Sequence, residues 1–184
     1  MLPQTLAKVI PAARNAATGT LQARRPQRTF HHQIEIYLKD SNAYANTYFS
    51  RHFEWQGVCR ERWFYRCISP DMLRTTGVFI TKRANQEYLH ETFPFQTVDC
   101  ELNTFDVRQC SFCLQFRFHV DGTCVATGFQ QIVFASLDKR IQRLPEAVLA
   151  KIREFELPAG DWEDESGSPS VKPTTRTRPS VATA

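Results

Sequence analysis

A chain of 184 residues, 42% of them apolar, is long enough for one domain with a core and tails. Its net charge of +4 is modest and its basic residues are interleaved with acidic ones, which argues against a nucleic-acid binder. No apolar run reaches the ~18 residues that a bilayer-spanning helix needs, so no membrane partner is expected either.

Residues 1–27 carry Lys8, Arg14, Arg24 and Arg25 and no acid. Such leaders can be organelle-targeting segments, but serine is absent here and Pro3, Pro11 and Pro26 interrupt any long amphipathic helix. A flexible N-terminal arm is the expectation. Residues 28–39 then alternate: Phe30, His32, Ile34, Ile36 and Leu38 share one face, as in a strand with one buried side.

A polar turn, Asp40 to Asn46, opens a helix expected from about Thr47 to Arg66. Tyr48, Phe49, His52, Phe53, Trp55, Gln56, Cys59, Trp63 and Phe64 recur at spacings of three and four and form a wide apolar stripe. Gly57 interrupts the helix at a cost of about 1 kcal/mol relative to alanine. Such a glycine often permits close approach of a backbone or ligand.

Four more strands are expected at about 77–90, 95–109, 111–121 and 124–136. In the second, Val98, Cys100 and Leu102 face one way and Phe105 and Val107 take the opposite phase, which suggests a bulge near Asn103-Thr104. Asp121-Gly122 is a strong hairpin signal. The last strand is apolar on both faces at Ile132, Val133 and Phe134, as a covered central strand would be. Pro145 to Leu149 starts a short helix, and residues 158–184 are Pro/Ser/Thr-rich and read as a disordered tail. The domain itself is expected over 28–157. One helix against a mostly antiparallel sheet is an α+β arrangement in which the sheet wraps the helix.

There are six cysteines: Cys59, Cys67, Cys100, Cys110, Cys113 and Cys124. With no secretory signal expected and four of them inside strand-like runs, reduced thiols in a cytoplasmic protein are the reading. Cys110 and Cys113 have CxxC spacing, but no second pair completes a tetrahedral metal site, and packing explains them better.

Asn42-Ala43-Tyr44-Ala45-Asn46-Thr47-Tyr48, followed by Trp55-Gln56-Gly57-Val58-Cys59-Arg60-Glu61, resembles the hot-dog thioesterases. It is most similar to their enediyne polyketide branch, within the 4-hydroxybenzoyl-CoA thioesterase-like family. The resemblance covers about residues 30–152. It implies a sheet of about five strands around one long helix, and a dimer joined edge to edge or a tetramer. It implies hydrolysis of an acyl thioester from an acyl carrier protein or polyketide synthase, and decarboxylation of a β-keto acid product as a further step. No cofactor or metal is implied. Acyl-CoA hydrolysis in general metabolism and non-hydrolytic acyl binding are the alternatives.

Many hot-dog thioesterases place an aspartate where this chain has Asn42, and the enediyne branch resembles this chain in using asparagine. A carboxylate can act as nucleophile or base. An amide can orient water or donate to an oxyanion. The resemblance further implies the Phe49 backbone amide as oxyanion donor, Arg60 as the second catalytic side chain, and Tyr44, Asn46 and Tyr48 at the substrate mouth. Each has a plainer explanation. Asn42 suits a turn, Arg60 could pair with Glu61 or Asp99, and the aromatics could simply pack. His52, on the apolar stripe, reads as a satisfied core histidine. Counted from Thr47, Arg60 lies on the order of 20 Å from the helix start at 1.5 Å per residue. It is therefore expected at the far end of an acyl tunnel or near a partner subunit's site.

Overall fold

The computed structural model describes residues 28–71 and 75–158. The expected arm at 1–27 and almost all of the expected tail lie outside them. The chain runs β1 (Phe30–Glu35), α1 (Arg51–Trp63), β2 (Val78–Tyr88), β3 (Thr97–Phe105), β4 (Ser111–Val120), β5 (Thr123–Ala135) and α2 (Glu146–Arg153). The five strands form one antiparallel sheet in the order β1-β3-β4-β5-β2. This is the expected hot-dog arrangement.

The inner face of the sheet is built by alternation. Val98, Cys100 and Leu102 of β3, Phe112, Leu114, Phe116 and Phe118 of β4, and Ile132 and Phe134 of β5 are all buried. Against them α1 lays Trp55, Cys59 and Trp63, and a π-helical turn, Phe64–Ile68, carries the same face on through Phe64 and Ile68. Trp63 meets Phe112 and Phe155 edge-on, at centroid distances of 6.1 and 5.8 Å. Fully burying one such aromatic contributes about 1.5–3 kcal/mol. The β4–β5 hairpin turns at Asp121 (φ 50°) and Gly122 (φ 79°), the left-handed pair that a two-residue hairpin needs.

Several sequence expectations need correction. β1 ends at Glu35, and Leu38 is exposed, because the chain breaks into a 3-10 turn at Leu38–Asp40 held by the Asp40 N–H to the Tyr37 carbonyl. The helix starts at Arg51, not Thr47. Residues before it are tied to neighbouring loops instead: the Thr47 N–H donates to the Thr92 carbonyl, after β2, at 2.8 Å and the Tyr48 N–H to the Asp40 carbonyl of the 3-10 turn at 2.7 Å. Tyr48 and Phe49 consequently stand exposed rather than completing the buried stripe, and Phe53, inside α1, is exposed as well.

No bulge occurs at Asn103-Thr104, where β3 and β4 stay in register from Asp99↔His119 to Phe105↔Cys113. Both residues are buried because the segment after α2 covers the strand end. Thr104 exchanges backbone hydrogen bonds with Phe155 and Leu157, and Asn103 donates to the Arg28 carbonyl. The register shifts lie between Thr81 and Arg83 and between Phe118 and His119. β5 alternates between buried and half-buried positions and is not covered equally on both faces. A Cβ added to Gly57 would meet no atom within 4 Å, so this chain itself makes no close approach there. All six cysteines are free thiols.

Candidate active site

The turn before α1 is organised by Asn42. Its N–H donates to the Asn46 carbonyl at 2.9 Å, its carbonyl accepts from the Ala45 N–H at 3.0 Å, and its Oδ1 accepts from the Tyr44 N–H at 2.8 Å. The turn role therefore occupies Oδ1. The side-chain Nδ2 has no partner among the described residues and keeps two protons to donate.

Asn42, Asn46, Tyr48 and Phe49 line one pocket of about 320 Å³ at the start of α1. The far wall is the end of β2 and the residues after it, including Tyr88, His90 and Glu91. The Phe49 carbonyl accepts from the Tyr88 hydroxyl at 2.7 Å, which fixes that peptide against β2. The Phe49 N–H donates to no described residue, and it lies next to the positive end of the helix dipole. Asn46 Nδ2 donates to Glu91 Oε1 at 2.6 Å, while Asn46 Oδ1 is buried without a partner. Tyr44 is not part of this wall. Its side chain is 87% exposed.

Most of the pocket's other lining residues were not expected at the site, and two of them, His52 and Glu91, bear on its chemistry. His52 is buried, but neither ring nitrogen has a hydrogen-bond partner, so it is not a satisfied core histidine. Burial pushes its pKa down from 6.5 to about 4. Glu91 brings an exposed carboxylate to the wall. Its contact with Asn46 spans 45 residues, a separation at which local patterns carry no signal.

Arg60 is not in this pocket. Nine residues beyond Arg51, it lies about 14 Å along the helix axis. It lines a second cavity of about 830 Å³, whose walls include Trp63, Phe64, Phe79, Phe112 and Ile132. Arg60 pairs with neither Glu61 nor Asp99. Its Nη1 donates to Thr81 Oγ1 at 2.7 Å and Gln130 Oε1 at 2.9 Å. Gln130 Nε2 in turn donates to Gln56 Oε1 at 3.1 Å, and Gln56 Nε2 to the Asn85 carbonyl at 2.8 Å and Gln86 Oε1 at 2.7 Å. This buried polar line joins α1 to β5 and β2. Desolvation, partly offset by Glu61, lowers the Arg60 pKa, but a guanidinium stays charged. The cavity thus has an apolar wall and a cation with no carboxylate bound to it.

On the outer face of the sheet, His31, Asp99 and Glu101 bring one ligand atom each within 4.8 Å of one another. His31 Nδ1 already pairs with Asp99 at 3.2 Å and Glu101 with Arg117 at 3.0 Å, so these groups satisfy each other.

A family model described as the thioesterase-like superfamily matches residues 36–152, more than half of the chain. The chain belongs to that superfamily. A comparison with curated proteins finds no match. Among solved structures, a predicted thioesterase from Bacillus stearothermophilus is 20% identical with a TM-score of 0.64, covering 72% of this chain and 100% of that one. The dynemicin thioesterase, from a study of polyene binding, is 17% identical with a TM-score of 0.65 and the same coverages, 72% and 100%. SAV2348 from Staphylococcus aureus, solved with CoA, is 14% identical with a TM-score of 0.68, covering 79% and 96%. At these identities the likeness is one of fold, and this superfamily member shares the hot-dog architecture with all three. No helix among its described residues is long and apolar enough to cross a membrane.

Proposed function

We propose that this thioesterase-like protein hydrolyses an acyl thioester presented by an acyl carrier protein or polyketide synthase, releasing a polyketide-type or fatty acid. The observation that carries the reading is that Asn42 and Phe49, each with an uncommitted donor (Nδ2 and the N–H), line one pocket at the helix start. A thioester carbonyl placed there becomes an oxyanion as water attacks, and both donors and the helix dipole favour that charge. Because Oδ1 of Asn42 is held by the Tyr44 N–H, the amide acts by donating and not by taking a proton.

Asn46 and Tyr48 frame the pocket, and Tyr44 stands at its outer edge for the carrier arm. The acyl chain takes the larger apolar cavity, of its own or a partner subunit. Its volume of about 830 Å³ falls within the range of roughly 300–1,000 Å³ usual for small-molecule sites. Arg60 holds the oxygen-bearing part of the chain there, and a β-keto acid product loses CO₂ as the further step. The reaction as written consumes only water. Residues 28–157 form the catalytic unit, and the protein works in the cytoplasm as a dimer or tetramer.

The test compares hydrolysis of one acyl group carried by CoA and by an acyl carrier protein, with the free acid and any ketone identified. Asn42→Ala is expected to lower kcat/KM by about 10²-fold, the usual loss for one oxyanion-stabilising group, and Arg60→Ala by about 10-fold or more through lost binding of the acyl chain's oxygens, a hydrogen bond to a charged group contributing about 1.5–3 kcal/mol. Wild-type turnover in both variants would refute the site. Faster hydrolysis from CoA would reassign the carrier to CoA.

A further inference from the structure

His52 is 3% exposed, yet both of its ring nitrogens lack a hydrogen-bond partner. Its ring sits among Trp55 at 4.5 Å, Tyr88 edge-on at 5.1 Å and Phe118 edge-on at 5.7 Å. A phenyl ring would pack in that box without stranding two polar atoms, so packing alone leaves the imidazole unexplained. The same residue lines the pocket that Asn42 and Phe49 also line, three positions after Phe49 and inside the first turn of α1. An unpaired buried acceptor beside an oxyanion site is what a water-activating group requires.

We propose that His52 is the general base of the reaction, taking the proton of the attacking water and returning it to the leaving sulfur. This role rests on the thioesterase reading above. The water oxygen bonds to the thioester carbon as one water proton moves to a ring nitrogen of His52. The carbonyl oxygen gains the negative charge and is held by the Phe49 N–H and Asn42 Nδ2. When the intermediate collapses, the C–S bond breaks and the sulfur takes the proton from the imidazolium. A free acid and a thiol leave, and His52 is neutral again.

His52 therefore supplies the base that Asn42, an amide, cannot be. Burial keeps its ring neutral at pH 7, with one nitrogen protonated, the other unprotonated and neither carrying a charge. The ionisable groups nearest it are arranged to leave it so. Arg51 on its own helix is paired with Glu54 at 2.6 Å and with Asp40 at 3.4 Å. Tyr48 and, beyond β2, His90 and Glu91 share the pocket wall, and Tyr88 from β2 and Phe118 from β4 present aromatic rings. Desolvation is the one cause of the His52 shift, with no neighbouring charge contributing. Glu91 is the rival base, since its carboxylate reaches the same pocket.

The test measures kcat and KM of the full-length protein, His52→Phe, His52→Gln and Glu91→Gln. The probe is a medium-chain acyl group on CoA and on a carrier protein, from about pH 4 to 8. Both His52 variants are expected to lose about 10²-fold or more in kcat with KM within a few-fold. His52→Phe should melt no lower than wild type, which separates lost chemistry from lost folding. The acid limb of the wild-type kcat profile should vanish from the residual activity of His52→Gln. A kcat in either His52 variant within about three-fold of wild type would overturn the proposal. So would an acid limb that persists in His52→Gln and vanishes in Glu91→Gln. Should wild type hydrolyse neither thioester, the thioesterase reading falls and takes this role with it. Should Asn42→Ala lose activity while His52→Phe keeps it, only the role of His52 fails.

Discussion

At the scale of single residues, the buried imidazole makes a claim about stability as well as chemistry. Folding lowers the pKa of His52 from 6.5 to about 4, so between those values the unfolded chain binds a proton that the folded chain refuses. Its contribution is fully present above about pH 6.5 and is lost as the pH falls toward 4, by about 3 kcal/mol in total. Urea titrations of wild type and His52→Phe across that window should diverge by this amount, wild type losing more. Equal slopes would mean that the ring titrates normally and is better solvated than its packing implies. The same residue shows where sequence reading stops. Asn42, Asn46, Tyr48 and Phe49 fall within eight positions of one another, so a local turn before a helix start already keeps them close, while Tyr88, Glu91 and Thr92 fix that turn against the rest of the chain. On a helical wheel, however, His52 differs in nothing from a core residue. Its unmet nitrogens exist only because β2 and β4 close over it with aromatic rings. Arg60 was legible only through the family resemblance, which implied it as a second catalytic side chain. Its partners Thr81 and Gln130, on β2 and β5, were not.

Two glycines bring out the corresponding limit for whole elements. Strand and helix identities were readable because apolar side chains alternate by two or recur by three and four, and the β4–β5 turn because Asp-Gly demands left-handed backbone. What periodicity cannot convey is which neighbour covers a strand, and so the phase change at Asn103-Thr104 resembled a bulge when it was a covered strand end. Gly57 and Gly128 differ in the same hidden way. A Cβ on Gly128 would lie 2.4 Å from Gln56 Nε2 and 2.7 Å from the Asn85 carbonyl oxygen. This β5 glycine therefore lets the buried glutamine of α1 reach across to β2. Gly128→Ala should destabilise the protein by about 1–3 kcal/mol, the usual result of overpacking. Gly57→Ala places its methyl in open space within a helix and should stabilise the chain by about 1 kcal/mol. Chemical denaturation of the two variants reads both signs. A neutral Gly128→Ala would mean that Gln56 can withdraw without loss.

For the molecule as a whole, β1 and β2 are the sheet's two edges, and β2 is the longer of them. It pairs with β5 on one side only, and its 11 residues extend over roughly 35 Å at strand spacing. Most of them are exposed, in contrast to β3 and β4, and Ile80 and Tyr88 stand among the exposed apolar residues. Lys82, Arg83 and the register shift beside them are the devices that discourage indefinite strand addition, which favours one closed pairing over open aggregation. α1 adds to the same argument. Phe53 and Gly57 are four apart on one face of α1, Phe53 39% exposed and Gly57 meeting nothing within 4 Å, and Phe49, 58% exposed, stands in the turn just before the helix. Exposed aromatics beside an unpaired strand fit a second copy of the chain, and a stable pairing needs about 800 Å² from each partner. Light scattering of the full-length protein at micromolar concentration should therefore give about two or four times the chain mass of 21.3 kDa. Phe53→Glu combined with Ile80→Glu changes two exposed side chains and leaves the core untouched. It should shift the mass to that of one chain without loss of secondary structure, because two desolvated carboxylates cost more than such a contact returns. A wild-type protein that stays at one chain mass would defeat the pairing and leave α1's outer face to solvent. It would also confine the acyl chain to cavities within a single subunit.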